Sequence, residues 1–241
     1  MAGHSKWKNI QTTKNKNDAK RGKIFTKLSR EIIVAVKEGG PSPDSNSKLR
    51  DVIAKAKAAN VPSENLNRVI DRAAGNVDQS EFESITYEGY GPEGVAVIVE
   101  SMTDNRNRTA SDVRHYFDKY GGNLGATGCV SWSFDSKGVI VIARDGIDED
   151  TMMMDALEAG ASDMEVEDES YIIFTEPSDF SMSREALEKL NYSFISAQVE
   201  MVPQNYVKLE NEESIKNIEK LIDMLEDNDD VQQIWHNWEE A

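Results

Sequence analysis

The chain has 241 residues, 39% of them hydrophobic and 29% charged, with a formal net charge of −17 and a single cysteine, Cys129. One cysteine excludes an intrachain disulfide framework and fits a reducing cytoplasm. No apolar run approaches the ~20 residues of a membrane span, so the expectation is a soluble cytoplasmic protein of two or three domains.

The charge is unevenly spread. Residues 1–75 hold 16 Lys+Arg against 7 Asp+Glu, a net of +9, and residues 76–241 hold 11 against 37, a net of −26. A basic head on an acidic body points to nucleic-acid contact through the head. The acidic body should repel phosphate, so the binding surface has to be local.

Residues 1–22 read as a mobile basic arm, and the N-terminus has no apolar core of a secretory signal. Lys6, Lys8, Lys14, Lys16, Lys20 and Arg21 are cationic, Lys23 and Lys27 continue the series, and the few apolar residues of the arm fit no period. Such a segment cannot bury enough surface to order itself. Lys and Arg on a mobile arm suit phosphate backbones through counterion release, and Trp7 suits stacking on an unpaired base. The alternative reading is a solvated tail without a role.

Residues 23–75 read as a bundle of three short amphipathic helices. Ile24, Phe25, Leu28, Ile32, Ala35 and Val36 follow a helical period up to a stop at Gly39-Gly40-Pro41. A second helix is expected over 47–59, with Leu49, Val52, Ile53 and Ala56 on one face. A third runs from Ser63, a good N-cap, to Gly75. Its outer face mixes Asn65, Arg68 and Arg72 with Glu64 and Asp71, which makes it a poor reader of the major groove.

After a polar linker near 75–80 the pattern becomes alternating strands and helices. Strands are expected at 95–99 and 130–134 around a helix at 105–120. A complete β-α-β-β-α-β unit follows, with strands at 139–142, 164–167, 171–175 and 194–202 and helices at 148–159 and 183–191; that is the ferredoxin-like order. The chain end adds a short strand at 206–209, a helix at 212–225 and a strand at 231–235. The expected fold class is therefore α+β and multidomain. Residues 80–134 plus 206–241 form one ferredoxin-like domain, and 135–205 form a second inserted into it at surface turns.

No catalytic constellation emerges. Gly89-Tyr90-Gly91-Pro92-Glu93-Gly94 matches G-x-G-x-x-G, but it leads into a strand, Pro92 lacks a backbone donor and Glu93 repels phosphate, so a turn is the better reading. His4, His115 and His236 lie in separate segments and give no metal-ligand spacing. Met152, Met153 and Met154 read as core filling. The many carboxylates, including the run Asp227–Asp230, read as solvated acid. No catalytic residue, cofactor, metal or small-molecule substrate is expected. Arg106 and Arg108, in the one basic cluster of the acidic body, sit at a strand-to-helix junction where free backbone N–H groups also attract anions. The alternative is that Asp104 caps this helix while the arginines pair with nearby acids.

Several stretches resemble one family. Ala-Gly-His-Ser-Lys-Trp at 2–7, Asp-Ala-Lys-Arg-Gly-Lys-Ile-Phe-Thr-Lys at 18–27, Tyr-Glu-Gly-Tyr-Gly-Pro at 87–92, Thr-Asp-Asn-Arg-Asn-Arg-Thr at 103–109, Gly-Gly-Asn-Leu-Gly at 121–125 and Leu-Ile-Asp-Met-Leu-Glu-Asp at 221–227 closely resemble the YebC family, which also contains the mitochondrial translational activator of cytochrome c oxidase subunit one. The resemblance implies one all-α and two α+β domains in a cytoplasmic, non-enzymatic regulator of gene expression. It implies a DNA-binding transcriptional regulator, or a ribosome-associated RNA-binding factor that helps translation through proline-rich stalls. The partner expected on either reading is nucleic acid, DNA or ribosomal RNA, held by the basic N-terminal region. A third reading is a protein-binding adaptor that uses the acidic body. The chain departs from the family pattern at Gln11-Thr12-Thr13, where basic residues or His are frequent, and at its short end, 238–241.

Overall fold

The computed structural model describes residues 21–75 and 82–239. Three helices come first: α1 Arg21–Gly39, α2 Ser47–Ala58 and α3 Ser63–Gly75. Their apolar stripes meet in one core of Leu28, Ile32, Ala35, Val36, Leu49, Val52, Ala56, Leu66, Ile70 and Ala73. Asn46 fixes the α1–α2 corner. Its buried side chain accepts from Leu49 N at 3.0 Å, capping α2, and donates to Ala35 O and Gly40 O at 2.8 Å each. One side chain thus satisfies polar groups at two helix ends that would otherwise be orphaned.

By compactness, residues 21–134 and 203–239 make one unit and residues 135–202 another. The first unit holds the bundle and a four-stranded antiparallel sheet in the order Asn123–Leu124, Glu83–Tyr90, Ala96–Thr103, Val231–His236. Strand β1 (Glu83–Tyr90) pairs with β2 (Ala96–Thr103) from Glu83↔Thr103 to Tyr90↔Ala96. Helix α4 (Arg106–Lys119) follows, then the short strand β3 (Asn123–Leu124) beside β1. Helix α7 (Glu212–Asp227) and β9 (Val231–His236), which pairs with β2, complete the layer. The valines 95, 97 and 99 meet Val113 and Phe117 of α4 and Ile218, Leu221 and Leu225 of α7 in its core. A parallel pair of β8 (Val207–Lys208) and β10 (Trp238–Glu239) lies apart from this sheet.

In this sheet the strand between the two helices of a ferredoxin-like unit is supplied ahead of the others in sequence, by β1. The strands expected at 130–134 and 206–209 do not join this sheet, and β1 lies at 83–90, where the pattern predicts none. The edge strand is instead β3. Residues 131–133 form a 3-10 turn, and the 206–209 segment pairs outside the sheet. Strand β1 holds the strand-favouring Ile85, Thr86, Tyr87 and Tyr90, but it shows no apolar alternation and is interrupted by Glu88 and Gly89, so its pattern does not stand out in the sequence.

The second unit runs β4 (Phe134–Ala143), α5 (Glu149–Glu158), β5 (Asp163–Val166), β6 (Ser170–Thr175), α6 (Phe180–Lys189) and β7 (Phe194–Pro203), with sheet order β5-β6-β4-β7. That is the β-α-β-β-α-β arrangement of a ferredoxin-like domain. Ile140, Ile142, Tyr171 and Ile173 pack against Met152, Ala156, Phe180 and Leu187 from its two helices. The bundle followed by sheet-containing domains is an α+β architecture, as the hydrophobic periodicity indicates.

Candidate nucleic-acid interface

Lys6, Trp7, Lys8, Lys14, Lys16 and Lys20 lie outside the described residues, as does the side chain of Arg21. Among the others, Lys23, Lys27 and Arg30 recur at helical spacing on α1 and share one side of it. The structure engages all three within the protein. Lys23 Nζ donates to Asp227 O at 3.0 Å and pairs with Asp227 Oδ1 at 3.2 Å, and Lys27 Nζ donates to Glu226 O at 3.0 Å. These carbonyls are the last of α7, where unfilled acceptors and the negative end of the helix dipole attract cations.

Arg30 goes deeper. Its Nη1 reaches Asp230 Oδ1 at 2.7 Å, the carbonyl of Asp229 and, at 3.4 Å, that of Met102, and its guanidinium lies over the Phe82 ring at 5.3 Å. Asp230 is buried. Its other oxygen accepts from Arg108 Nη2 at 2.8 Å and Thr109 Oγ1 at 2.7 Å, with Thr103 Oγ1 at 3.3 Å. Burial alone would push the Asp230 carboxyl up. The hydrogen bonds from Arg108 and Thr109, with the charges of Arg30 and Arg108, outweigh it and hold the group below the usual aspartate range. Against the expectation of solvated acid over Asp227–Asp230, Asp230 is the anchor joining the bundle, α4 and β9. Nothing in a run of acids marks which one is buried.

Arg108 therefore faces two carboxylates, Asp230 and Asp104 (2.9 Å). The cap of α4 is Asn105, whose side chain accepts from Arg108 N at 3.0 Å, while Asp104 serves as a charge partner. Arg106 is the open member of the pair: its side chain is largely exposed, with Glu83 at 3.9 Å.

A second feature lies at the other end of the β1–β2 hairpin. Glu88 is buried, and its carboxylate accepts from the backbone N–H groups of Gly128 (2.8 Å), Val130 and Ser131 (2.9 Å each). Burial raises this carboxyl, but those bonds and one from the Ser131 side chain win and hold it low. The loop so wrapped offers Cys129 O to two aromatic donors, Tyr90 OH at 3.0 Å and Trp132 Nε1 at 2.9 Å. Trp132 is nonetheless 71% exposed. Its polar edge is satisfied inside the loop, so the indole is held in place with apolar ring surface facing solvent, a form suited to stacking on an unpaired base. The pattern predicts a strand at 130–134 and does not distinguish Trp132, which lies in a 3-10 turn.

The glycine-rich motif at 89–94 forms the hairpin connection. A Cβ on Gly89 would meet Asn123 O at 2.6 Å, so glycine here permits the close approach of β3, and Gly94 turns the chain at φ 83°. The motif thus has a structural reason. Among the described residues no group of three or more His, Cys, Asp or Glu side chains is placed to hold a metal ion, and no helix is long and apolar enough to cross a membrane.

Residues 5–76 match the family model described as the TACO1/YebC protein N-terminal domain, and residues 82–238 match the TACO1/YebC second and third domain. A relative from Acetivibrio thermocellus, named a probable transcriptional regulatory protein, is 61% identical over 239 residues, covering 99% of each chain. A relative of the same name from Caldicellulosiruptor bescii is 61% identical over 241 residues, covering 100% of this chain and 99% of that one. The crystal structure of a conserved hypothetical protein from Aquifex aeolicus superposes with a TM-score of 0.83 at 47% identity, over 92% of this chain and 91% of that chain. With both models together spanning nearly its whole length, this chain belongs to the TACO1/YebC family.

Proposed function

We propose that this chain is a non-catalytic regulator of gene expression that binds nucleic acid through its basic N-terminal region. The observation that carries the reading is the charge division: a net of +9 over residues 1–75 against −26 over the rest. Only the head can approach a polyanion without strong repulsion. The names of the relatives, probable transcriptional regulatory proteins, support DNA as the target. The contacting groups are Lys6, Trp7, Lys8, Lys14, Lys16, Lys20 and Arg21, with Arg106 as an accessory cation. Lys23, Lys27 and Arg108 reach a phosphate only by giving up or sharing their present partners.

A second reading, RNA with a role in translation at the ribosome, is favoured by two observations. Arg68 on α3 is paired with Glu64 of the same helix at 2.5 Å, which weakens α3 as a groove reader, and Trp132 offers a stacking surface that duplex DNA cannot use. Genome-wide crosslinking to DNA set against co-sedimentation with ribosomes separates the two. Enrichment on DNA with no ribosomal fraction supports the transcriptional reading, and the reverse supports the translational one.

A further inference from the structure

Among the described residues of the first unit, two large apolar side chains are exposed, Tyr90 at 38% and Trp132 at 71%. Both are aromatic, and both donate to one acceptor, the Cys129 carbonyl, at 3.0 and 2.9 Å. Their polar edges therefore meet at a single atom, and what faces solvent is carbon surface and π faces. Neither ring is loose. Tyr90 is held in β1 opposite Ala96 and Asn123. Trp132 stands on the turn that Glu88 grips through the N–H groups of Gly128, Val130 and Ser131, and Ser133 Oγ donates to Val130 O at 2.7 Å in the same turn. Gly122 and Gly125 press the loop onto the hairpin, because a Cβ there would meet Tyr90 O and Cys129 Sγ at 2.5 Å each. The surface is thus ordered by folding, before any ligand arrives.

The surroundings of the rings select the ligand. Residues 120–134 are the longest uncharged run of the chain, bracketed by Asp118 and Lys119 on one side and Asp135 on the other. Lys119, in the last turn of α4, is exposed, with its ammonium 5.3 Å from the centre of the Tyr120 ring. The hairpin turn adds one exposed acid, Glu93, while Glu88 is buried and turned into the loop. In a body of strong negative charge, this loop has little to repel a phosphate. Among the described residues of the unit no large aliphatic side chain is exposed to complete a groove for a protein segment. Flat rings with satisfied polar edges fit a flat ligand, and every base has a π face.

We propose that Tyr90 and Trp132 form a stacking site for an unpaired base of a single strand, with Lys119 as the cation for its backbone. The site rests on the reading that the head binds nucleic acid: the head supplies the bulk of the affinity, and the ring pair selects strands whose base faces are free. A duplex, with its bases already stacked, is not selected.

The test uses the full-length chain and short fluorescent probes of one sequence: an RNA strand, a DNA strand, and each of them in duplex. Trp132→Ala should weaken binding to a single strand about five-fold or more, the lower end of what one base–aromatic stack contributes. Binding to both duplexes and the melting temperature should stay as they were, since the ring is exposed. Trp132→Phe restores a stacking face and should recover most of the affinity. Should Trp132→Ala fail to fold, Tyr90→Leu, which keeps bulk at the strand end, carries the same expectation. Loss on the RNA strand alone assigns the site to RNA, loss on the DNA strand alone to opened DNA, and loss on both to any unpaired base; each supports the proposal. Single-strand affinity that is unchanged by Trp132→Ala, or lost equally on duplex, or not recovered by Trp132→Phe, would overturn it and leave the ring pair to a protein partner. The two failures are separable. Binding that survives loss of Trp132 but not loss of the arm lysines removes the site and keeps the head as the binding surface, whereas a wild-type chain that binds none of the probes removes both.

Discussion

Arg30 in α1 and Asp230 before β9, 200 residues apart in sequence, meet at 2.7 Å with the carboxylate buried. The pair ties the helical bundle to the sheet behind it, and Arg108, Thr103 and Thr109 complete the shell around the same carboxylate. Removing one partner of a buried pair leaves the rest unsatisfied and costs about 3–5 kcal/mol. Asp230→Ala should therefore destabilise the protein by about that amount in urea unfolding. Arg108→Ala, at a half-exposed position, should cost about 1 kcal/mol or less. The folded carboxyl lies below its usual range, so its stabilisation is complete above the unfolded value of about 3.9 and is lost as pH falls through the lower folded value.

His236 titrates in a separate window. It is half-buried beside Trp238, its shielded Nδ1 has no hydrogen-bond partner among the described residues, and desolvation pushes it down to about 4 against a smaller opposing effect from the Trp238 backbone. Between pH 6.5 and 4 the unfolded chain takes up a proton that the folded chain does not, so stability falls as pH falls across that interval, by about 3 kcal/mol in all. His236→Gln should flatten this part of the stability–pH curve. An unchanged slope in the variant would show that the imidazole is not responsible.

Much of this architecture is legible in the residues. Leu28, Ile32 and Val36 keep a helical period that fixes their element and face, and Val139–Ile142 form an unbroken apolar run that fits a strand buried on both faces, because burying such surface dominates local stability. What stays hidden depends on contacts distant in sequence. Strand β1 has strand-favouring residues but no apolar alternation, so its place in the sheet shows only in its pairing with β2 and β3. Asp230 and Glu88 look like any other acid until the donors around them, some over 100 residues away, are assembled. The candidate cations divide in the same way. The composition identifies Lys23, Lys27 and Arg108 as positive, and only the fold shows Asp227, Glu226 and Asp230 beside them.

The Glu88 carboxylate should control the loop that presents Trp132. Glu88→Gln keeps the size but turns an amide NH2 or a weaker oxygen toward three N–H donors, at a cost of about 1–3 kcal/mol. Hydrogen exchange at Gly128, Val130 and Ser131 should accelerate in the variant. Unaltered protection of those amides would mean that the loop holds itself without the carboxylate.

We propose that residues 135–202 are an insertion. The chain leaves and rejoins the first unit at one place, where Gln204 N donates to Ser133 O at 2.9 Å, and β4 and β7 are neighbours in their sheet. A short Gly/Ser linker in place of residues 135–202 should give a chain that still unfolds cooperatively, since its core of Val95, Val97, Val99, Phe117, Leu221 and Leu225 is retained. A broad, non-cooperative melt would show that the two units depend on each other to fold.

The central claim is that the basic head binds nucleic acid, and the salt dependence of affinity tests it most directly. Titrations of full-length protein onto single-stranded RNA and onto duplex DNA, between 50 and 200 mM salt, give the slope of log K against log salt. A steep negative slope is expected. Changing Lys6, Lys8, Lys14, Lys16 and Lys20 together to Gln should flatten it by about 0.7 per lost phosphate contact on single strands and about 0.9 on duplex, with the melting temperature held. A shallow slope in the wild type, or an affinity and slope untouched by the five changes, would contradict the claim and leave the acidic body and its protein partner as the seat of function.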